Sequence, residues 1–236
     1  FSGKRGSLVA IEIDTGGVLA MVSAPSYDAN PFVSGISQKE YDALINSPDK
    51  PMFNRSIRGQ YPPGSTIKPL FGLIGLQSRS ITTTTKIEDP GYFLMEGIER
   101  PWRDHNSERG GHGKGVDLAK AIIESCDVFF YTMGVKIGID TLAANSQSFG
   151  LGQKTNIELT GERAGLIPST SWKKTMFSKK EDKTWFPGET VIASIGQGYM
   201  LATPLQLANA TAALATRGQR YKPMLISATE NPINGE

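Results

Sequence analysis

The chain has a single cysteine, Cys126, in 236 residues, so no internal disulfide framework can hold it together. Charge of one sign is missing as well: 25 Lys and Arg stand against 23 Asp and Glu, a formal net of +2. That balance gives no support for a nucleic-acid binder, which needs a concentrated basic face. No apolar run approaches the roughly 18 residues of a membrane span, and the best candidate, Leu70 to Leu76, is broken by Gly72 and Gly75. Nor does an apolar stretch follow Phe1-Ser2-Gly3-Lys4-Arg5-Gly6, as it would in a secretory leader. A chain that starts at Phe is expected to be trimmed, so this lack says nothing about compartment. Internal repeats, low-complexity tracts and heptads are absent too. What is present is a hydrophobic content of 39% with 20% charge, enough for a real core in one large domain or two small ones and too much for general disorder.

Strand signals sit near the ends of the chain and helix signals in the middle, which favours an α+β layout. Ser7 to Ile13 and Val18 to Ser23 are β-rich runs around Asp14-Thr15-Gly16-Gly17 and predict a hairpin. Residues 24 to 64 read as a long irregular connection with a short helix near Lys39 to Asn46. The apolar spacing after Pro69 predicts a buried helix. Residues 80 to 115 read as irregular again, on signals such as Asp89-Pro90-Gly91 and Gly110-Gly111-His112-Gly113. Helices are expected over Val116 to Glu124 with Asp117 as N-cap, over Val128 to Ile137 ending at Gly138, and over Thr141 to Phe149. Glu162 to Gly188 reads as a polar, Lys-rich excursion. Thr203-Pro204 opens a last helix as cap and first residue, and Met224 to Ile226 predicts a short strand before a loose tail over 227–236. The division expected from this is 1–64 for hairpin and connection, 65–223 for a helical region, and 224–236 for the start of a further part.

Two places carry chemistry. Ser65 and Lys68 lie three positions apart at the entrance to a helix, so a first turn there puts both side chains on one face. A neutral Lys amine can then take the Ser proton, while helix-end N–H groups favour the negative charge that develops. Pro69 cannot donate the bond that a longer helix would require, which keeps residue 65 in the opening turn. Alone, Ser-x-x-Lys is a common accident. The second place is Ser125-Cys126-Asp127, where i and i+2 share one cleft only if the stretch is a turn; otherwise Asp127 caps a helix starting at Val128.

Taken together with their surroundings, these segments resemble the penicillin-binding proteins. The match runs through Pro62-Pro63-Gly64-Ser65-Thr66-Ile67-Lys68-Pro69, Ser125-Cys126-Asp127-Val128-Phe129-Phe130-Tyr131, Phe149-Gly150-Leu151-Gly152, Thr160-Gly161-Glu162 and Ile195-Gly196-Gln197-Gly198-Tyr199. The hairpin and Ala24-Pro25-Ser26-Tyr27-Asp28 match the start of the same domain, so the resemblance covers nearly the whole chain. Asp rather than Asn at 127, with the wording around Gly196, is similar to the class B, elongation-specific branch.

The resemblance implies the α+β penicillin-recognition fold, an antiparallel sheet with helices plus a helical subdomain, cut short at its C-terminal side. It also implies a serine D,D-transpeptidase of cell-wall synthesis and cell shape. Ser65 would be the nucleophile, Lys68 its base, Ser125 the proton relay to the leaving group, and Asp127 the residue that orients Lys68. Gly64, Gly196, Gln197 and Gly198 would bind substrate. Implied partners are peptidoglycan stem peptides, β-lactam antibiotics, a membrane glycan polymerase and elongation scaffold proteins. The implied place is the periplasm, on an inner-membrane anchor outside this chain. The family's third motif, Lys-Thr-Gly or Lys-Ser-Gly, is absent, and an oxyanion donor is worth about 10²–10³ in rate. The chain is therefore expected to be impaired. The competing readings are a serine β-lactamase or β-lactam sensor, and a silent binding module.

Cys126 lies between two catalytic candidates and should point away from the cleft. The resemblance offers Asp89, Asp104, His112 and Cys126 as one structural zinc site, with His105 as the competing ligand; such a set suits zinc, though its spacing follows no standard pattern. The alternative is a small buried thiol among solvated turn formers. Arg103, Arg109, Lys114, Lys173, Lys174, Lys179, Lys180 and Lys183 read as a solvated face, and Trp102, Trp172 and Trp185 as packing residues.

Overall fold

A computed structural model describes residues 1, 3–230 and 233. In chain order the elements are β1 (Gly6–Ile11), β2 (Val18–Ala24), α1 (Asn30–Ser34), α2 (Gln38–Ile45), α3 (Arg55–Arg58), α4 (Lys68–Gln77), β3 (Ile87–Asp89), β4 (Tyr92–Met95), β5 (Ile98–Arg103), β6 (Gly113–Val116), α5 (Leu118–Ile123), α6 (Asp127–Ile137), α7 (Ile139–Ser148), α8 (Thr170–Met176), α9 (Pro187–Ala193) and α10 (Pro204–Ala215). They fall into two compact units that are discontinuous in sequence, whereas the reading above divides the chain at 64 and 223. The first holds residues 1–61, 149–165 and 202–236, and the second holds 62–148 and 166–201.

In the first unit β1 and β2 pair antiparallel from Gly6↔Ala24 to Ile11↔Val18, with one irregularity at Ala10/Ile11. Ile57, Ile157 and Leu205 form the buried core, against which Val9, Ile11, Val18 and Met21 pack. Helix α10 starts where the sequence places it. Thr203 and Gln206 form a reciprocal capping box, and the Gln206 amide also donates to the carbonyls of Gln153 and Ala164, each at 2.7 Å. Glu162 is buried and accepts from Thr155 N, Thr155 Oγ1 and Asn156 N at 2.7, 2.7 and 3.1 Å. The Thr160-Gly161-Glu162 segment is therefore a loop brace. The predicted strand at 224–226 does not form; Met224 makes only an isolated bridge to Gly17. The expected tail over 227–236 lies partly outside the described residues.

The second unit is built around α6, whose Val128, Phe129, Phe130 and Met133 are buried. Helix α4 packs on α6 and α7, and α9 packs on α6. The glycines that interrupt the apolar run of α4 are contact points: a Cβ at Gly72 would lie 2.8 Å from Leu118, and one at Gly75 would lie 2.5 Å from Met133 Sδ. Residues 80–115, expected to be irregular, form two antiparallel pairs, β3 with β6 and β4 with β5. The Lys-rich excursion likewise contains α8 and the start of α9. Pro187 lies in the first turn of α9 and Glu189 reaches back to the Phe186 N–H at 2.8 Å.

Candidate active site

Gly64 adopts φ +57°, a left-handed conformation open to glycine, and starts a 3₁₀ turn over Gly64–Ile67 that runs directly into α4. The Lys68 N–H donates to the Ser65 carbonyl, and in a 3₁₀ turn side chains at i and i+3 eclipse. Ser65 is exposed while Lys68, three residues on, is 1% exposed. Pro69 sits in the first turn of α4, where its missing N–H costs nothing.

The buried ammonium of Lys68 reaches the other candidate segment. It donates to Ser125 O at 2.6 Å, Ser125 Oγ at 3.1 Å and Asp127 Oδ1 at 2.6 Å, and lies 5.4 Å from the centre of the Phe130 ring. Three donors thus meet three acceptors. The junction can deliver both side chains because it is a turn: Ser125 adopts φ +56°, and Cys126 is extended. Asp127 does not cap the helix. Cys126 is the N-cap, its Sγ accepting from Phe129 N at 3.3 Å, and Asp127 is the first helical residue. Asp104 anchors the turn by accepting from the N–H groups of Asp127 and Val128 at 2.6 and 3.3 Å. Nothing in the residue pattern tied Asp104 to this turn, because the contact crosses 23 residues of sequence. The Tyr131 hydroxyl, one helical turn beyond Asp127, donates to the Arg103 carbonyl at 3.4 Å; burial, then the charges of Asp127 and Asp104, push its pKa up.

Gly196 joins this group through backbone. Its carbonyl accepts from Gly64 N at 2.9 Å, and a Cβ on it would lie 2.4 Å from Gly64 O, so only glycine fits there. Gln197 is exposed beside it, whereas Gly198 makes a left-handed turn near Ile192.

Behind the turn, ligand-capable atoms of Asp89, Asp104, His112 and Cys126 lie within 4.8 Å of one another. His112 Nδ1 is 2.6 Å from Asp89 Oδ2, to which the Cys126 thiol donates at 3.2 Å. Burial tends to raise the Asp89 pKa, but hydrogen bonds from His112, Gly91 N–H and Cys126 outweigh it and hold it below the ordinary value. The Cys126 pKa is raised, first by burial and then by neighbouring carboxylates. His105 stands apart from this set, its side chain 54% exposed, with Nδ1 3.1 Å from Asp104 and 3.9 Å from Asp127. Among the described residues no Lys or Arg pairs with either buried carboxylate, Asp89 or Asp104. Two desolvated carboxylates without a full counter-charge are costly, and an S, N, O, O donor set is one that zinc accepts.

An exposed serine sharing a turn with a buried lysine, itself tied to a second serine and an aspartate, is an acyl-transfer constellation. The penicillin binding protein transpeptidase domain matches residues 6–235. The chain belongs to the penicillin-binding protein transpeptidase family. It is 45% identical to the peptidoglycan D,D-transpeptidase MrdA of Acinetobacter baumannii over 228 residues, which is 97% of this chain and 33% of that protein. The PBP2 of Pseudomonas aeruginosa, solved in complex with WCK 5153, superposes with a TM-score of 0.91 at 46% identity, covering 100% of this chain and 50% of that one. The PBP2 of Helicobacter pylori, solved in complex with MreC, gives 0.88 at 36% identity, covering 98% and 42%. These neighbours share the α+β transpeptidase fold. The chain spans about a third of the MrdA sequence it matches. Neither the matches nor the site geometry supports the expected impairment, a β-lactamase or sensor, or a silent module.

Proposed function

We propose that this domain belongs to an enzyme that cross-links peptidoglycan stem peptides by D,D-transpeptidation, with Ser65 as nucleophile. The observation that carries the reading is the convergence of Ser125 and Asp127 on the buried Nζ of Lys68, which shares one 3₁₀ turn with Ser65. Ser65 Oγ attacks the carbonyl carbon of the penultimate D-Ala, an O–C bond forms, and the C–N bond to the terminal D-Ala breaks. Lys68, in its amine form, takes the Ser65 proton. Ser125 Oγ, 3.1 Å from Lys68 Nζ, hands its proton to the departing amine and takes in its place the one that Lys68 carries. The amine of a second stem peptide then attacks the ester, and its proton returns along the same path to Ser65 Oγ. Asp127 holds Lys68 in place throughout. Gly64, Gly196, Gln197 and Gly198 would border the substrate.

β-Lactams would acylate Ser65 and remain there. In this reading the domain would stand in the periplasm on an inner-membrane anchor, with a glycan polymerase and an elongation scaffold as partners; the MreC complex of the Helicobacter pylori relative supports the scaffold part. Asp89, Asp104, His112 and Cys126 would hold one structural zinc ion, which fits two buried carboxylates that no Lys or Arg neutralises and takes no part in the chemistry. The test is intact mass after exposure to penicillin. One drug adduct per chain, lost in Ser65→Ala, is expected; no adduct on the folded full-length protein would overturn the reading.

A further inference from the structure

The first unit holds a cavity of about 450 Å³ that no step of the acyl transfer uses. Arg5, Lys50 and Arg55 line it together with Phe53, Tyr61 and Pro204, no Asp or Glu does, and every lining residue belongs to that unit. Arg5 and Lys50 are exposed, whereas Arg55 is 6% exposed.

Water satisfies an exposed cation, so the informative comparison is among buried ones. Arg55, Lys68 and Lys173 are the buried Lys and Arg side chains among the described residues. Lys68 pairs with Asp127 and Lys173 with Glu189. Arg55 has no carboxylate within ion-pair distance among the described residues. Asp49, the acid nearest to it in sequence, gives its carboxylate to Arg5 at 3.1 Å and only its carbonyl to Arg55. The donors tell the same story. Nη1 of Arg55 donates to the carbonyls of Lys50 and Phe53 at 3.2 and 3.4 Å, and Nη2 donates to that of Asp49 at 2.6 Å. A guanidinium carries five N–H groups, so bracing the 49–53 loop takes three and leaves two, one on Nε and one on Nη2. The Phe53 ring, with its centre 5.9 Å from Arg55 Cζ, fixes the group further. A buried charge and buried donors without partners are both costly. An oxyanion relieves both, since it neutralises the charge and can accept two guanidinium bonds at once.

We propose that this cavity is an oxyanion site, in which Arg55 holds a carboxylate or phosphate group and Arg5 and Lys50 add attraction from the exposed side. The space is that of a small-molecule site, so the anion rides on a larger body lying along Phe53, Tyr61 and Pro204. That body is a free organic anion, or a stretch of the full-length protein outside this chain, which spans about a third of the MrdA sequence it matches. Both offer Arg55 the same chemistry. The site is independent of the Ser65 reading.

The test uses the full-length protein, titrated calorimetrically in Tris chloride with inorganic phosphate and with phenyl phosphate. If the anion is free, phenyl phosphate should bind once per chain and more tightly than inorganic phosphate. Arg55→Lys, which keeps the charge but loses the fork, should weaken it about tenfold. Lys50→Gln, which leaves every Arg55 bond to the loop in place, should weaken it about threefold, the size of an exposed charge contact. If the anion belongs to the protein, neither probe should bind, and a crystal structure of the full-length protein should place an Asp or Glu oxygen within about 3.2 Å of Arg55 Nε or Nη2. Probe binding that neither variant weakens would overturn the site. So would a protein that binds neither probe and shows no carboxylate on that group.

Discussion

At the residue scale the decisive position is Ser125, which acts through backbone and side chain together. Its φ of +56° turns the chain so that its own carbonyl and hydroxyl, and the Asp127 carboxylate, all face Lys68. A left-handed conformation costs a non-glycine residue about 1–2 kcal/mol. Ser125→Gly and Ser125→Ala should therefore separate the two roles. Both lose the hydroxyl and should slow acylation about 10²-fold or more, but the glycine variant should unfold about 1 kcal/mol less readily than the alanine variant in urea. Equal stability of the two would show that the turn is not strained. Tyr131 supplies a pH test. Its folded-state pKa lies above the unfolded value near 10, because burial and the neighbouring Asp127 and Asp104 disfavour the phenolate. The native state thus holds a proton that the unfolded chain releases. The stabilisation is fully present below that unfolded value and is lost as pH rises past it. Phenolate absorbance should show one of the seven tyrosines titrating last and only together with unfolding, and Tyr131→Phe should remove that component.

At the element scale, the solvated face expected of the lysines fails at Lys173. It is 3% exposed, paired with Glu189, and lies between 5.2 and 6.0 Å from the ring centres of Phe186, Trp185, Tyr199 and Phe177. This aromatic enclosure ties α8 to α9. Lys173→Met keeps the apolar stem but strands Glu189, so it should cost about 3 kcal/mol in thermal or urea unfolding, and adding Glu189→Gln should recover part of that. No loss in the single variant would mean that the pair is merely tolerated. The failure shows what local pattern can and cannot reveal. The start of α10 was legible because Thr203, Pro204 and Gln206 are neighbours in sequence. The Ser65–Lys68 turn was legible for the same reason. Strands β3 to β6 were not, because they are three to six residues long and carry Pro101 and several charges, and because β3 finds its partner β6 only across more than twenty residues. The signal for α9 was present in Pro187 and Glu189, yet the lysines before it masked it.

At the scale of the whole molecule, the question is what holds the second unit around its loops, since among the described residues its sheets are two-stranded pairs. Such pairs are marginal alone. Strand β3 ends at Asp89, β5 leads into Asp104, His112 precedes β6, and Cys126 caps α6, so one ion bound to these four would fasten four separate segments. Binding to the folded state alone adds about 2.7 kcal/mol when free metal stands at a hundred times its dissociation constant. All three tryptophans, Trp102, Trp172 and Trp185, fall in this unit, so their fluorescence follows its unfolding without a contribution from the other. Gently purified protein should carry close to one zinc per chain. Chelation should lower the fluorescence-detected midpoint by several degrees, given that about 1 kcal/mol moves the midpoint by roughly 2–4 °C in a chain of this size. Cys126→Ser and His112→Ala should lose the metal and unfold at the chelated midpoint, whereas His105→Ala, whose exposed ring faces Asp104 and Asp127 from outside the cluster, should keep it. Less than half a metal per chain, or a midpoint indifferent to chelator, would leave Cys126 as a buried thiol and assign the anchoring of the turn to the bonds from Asp104 to Asp127 and Val128.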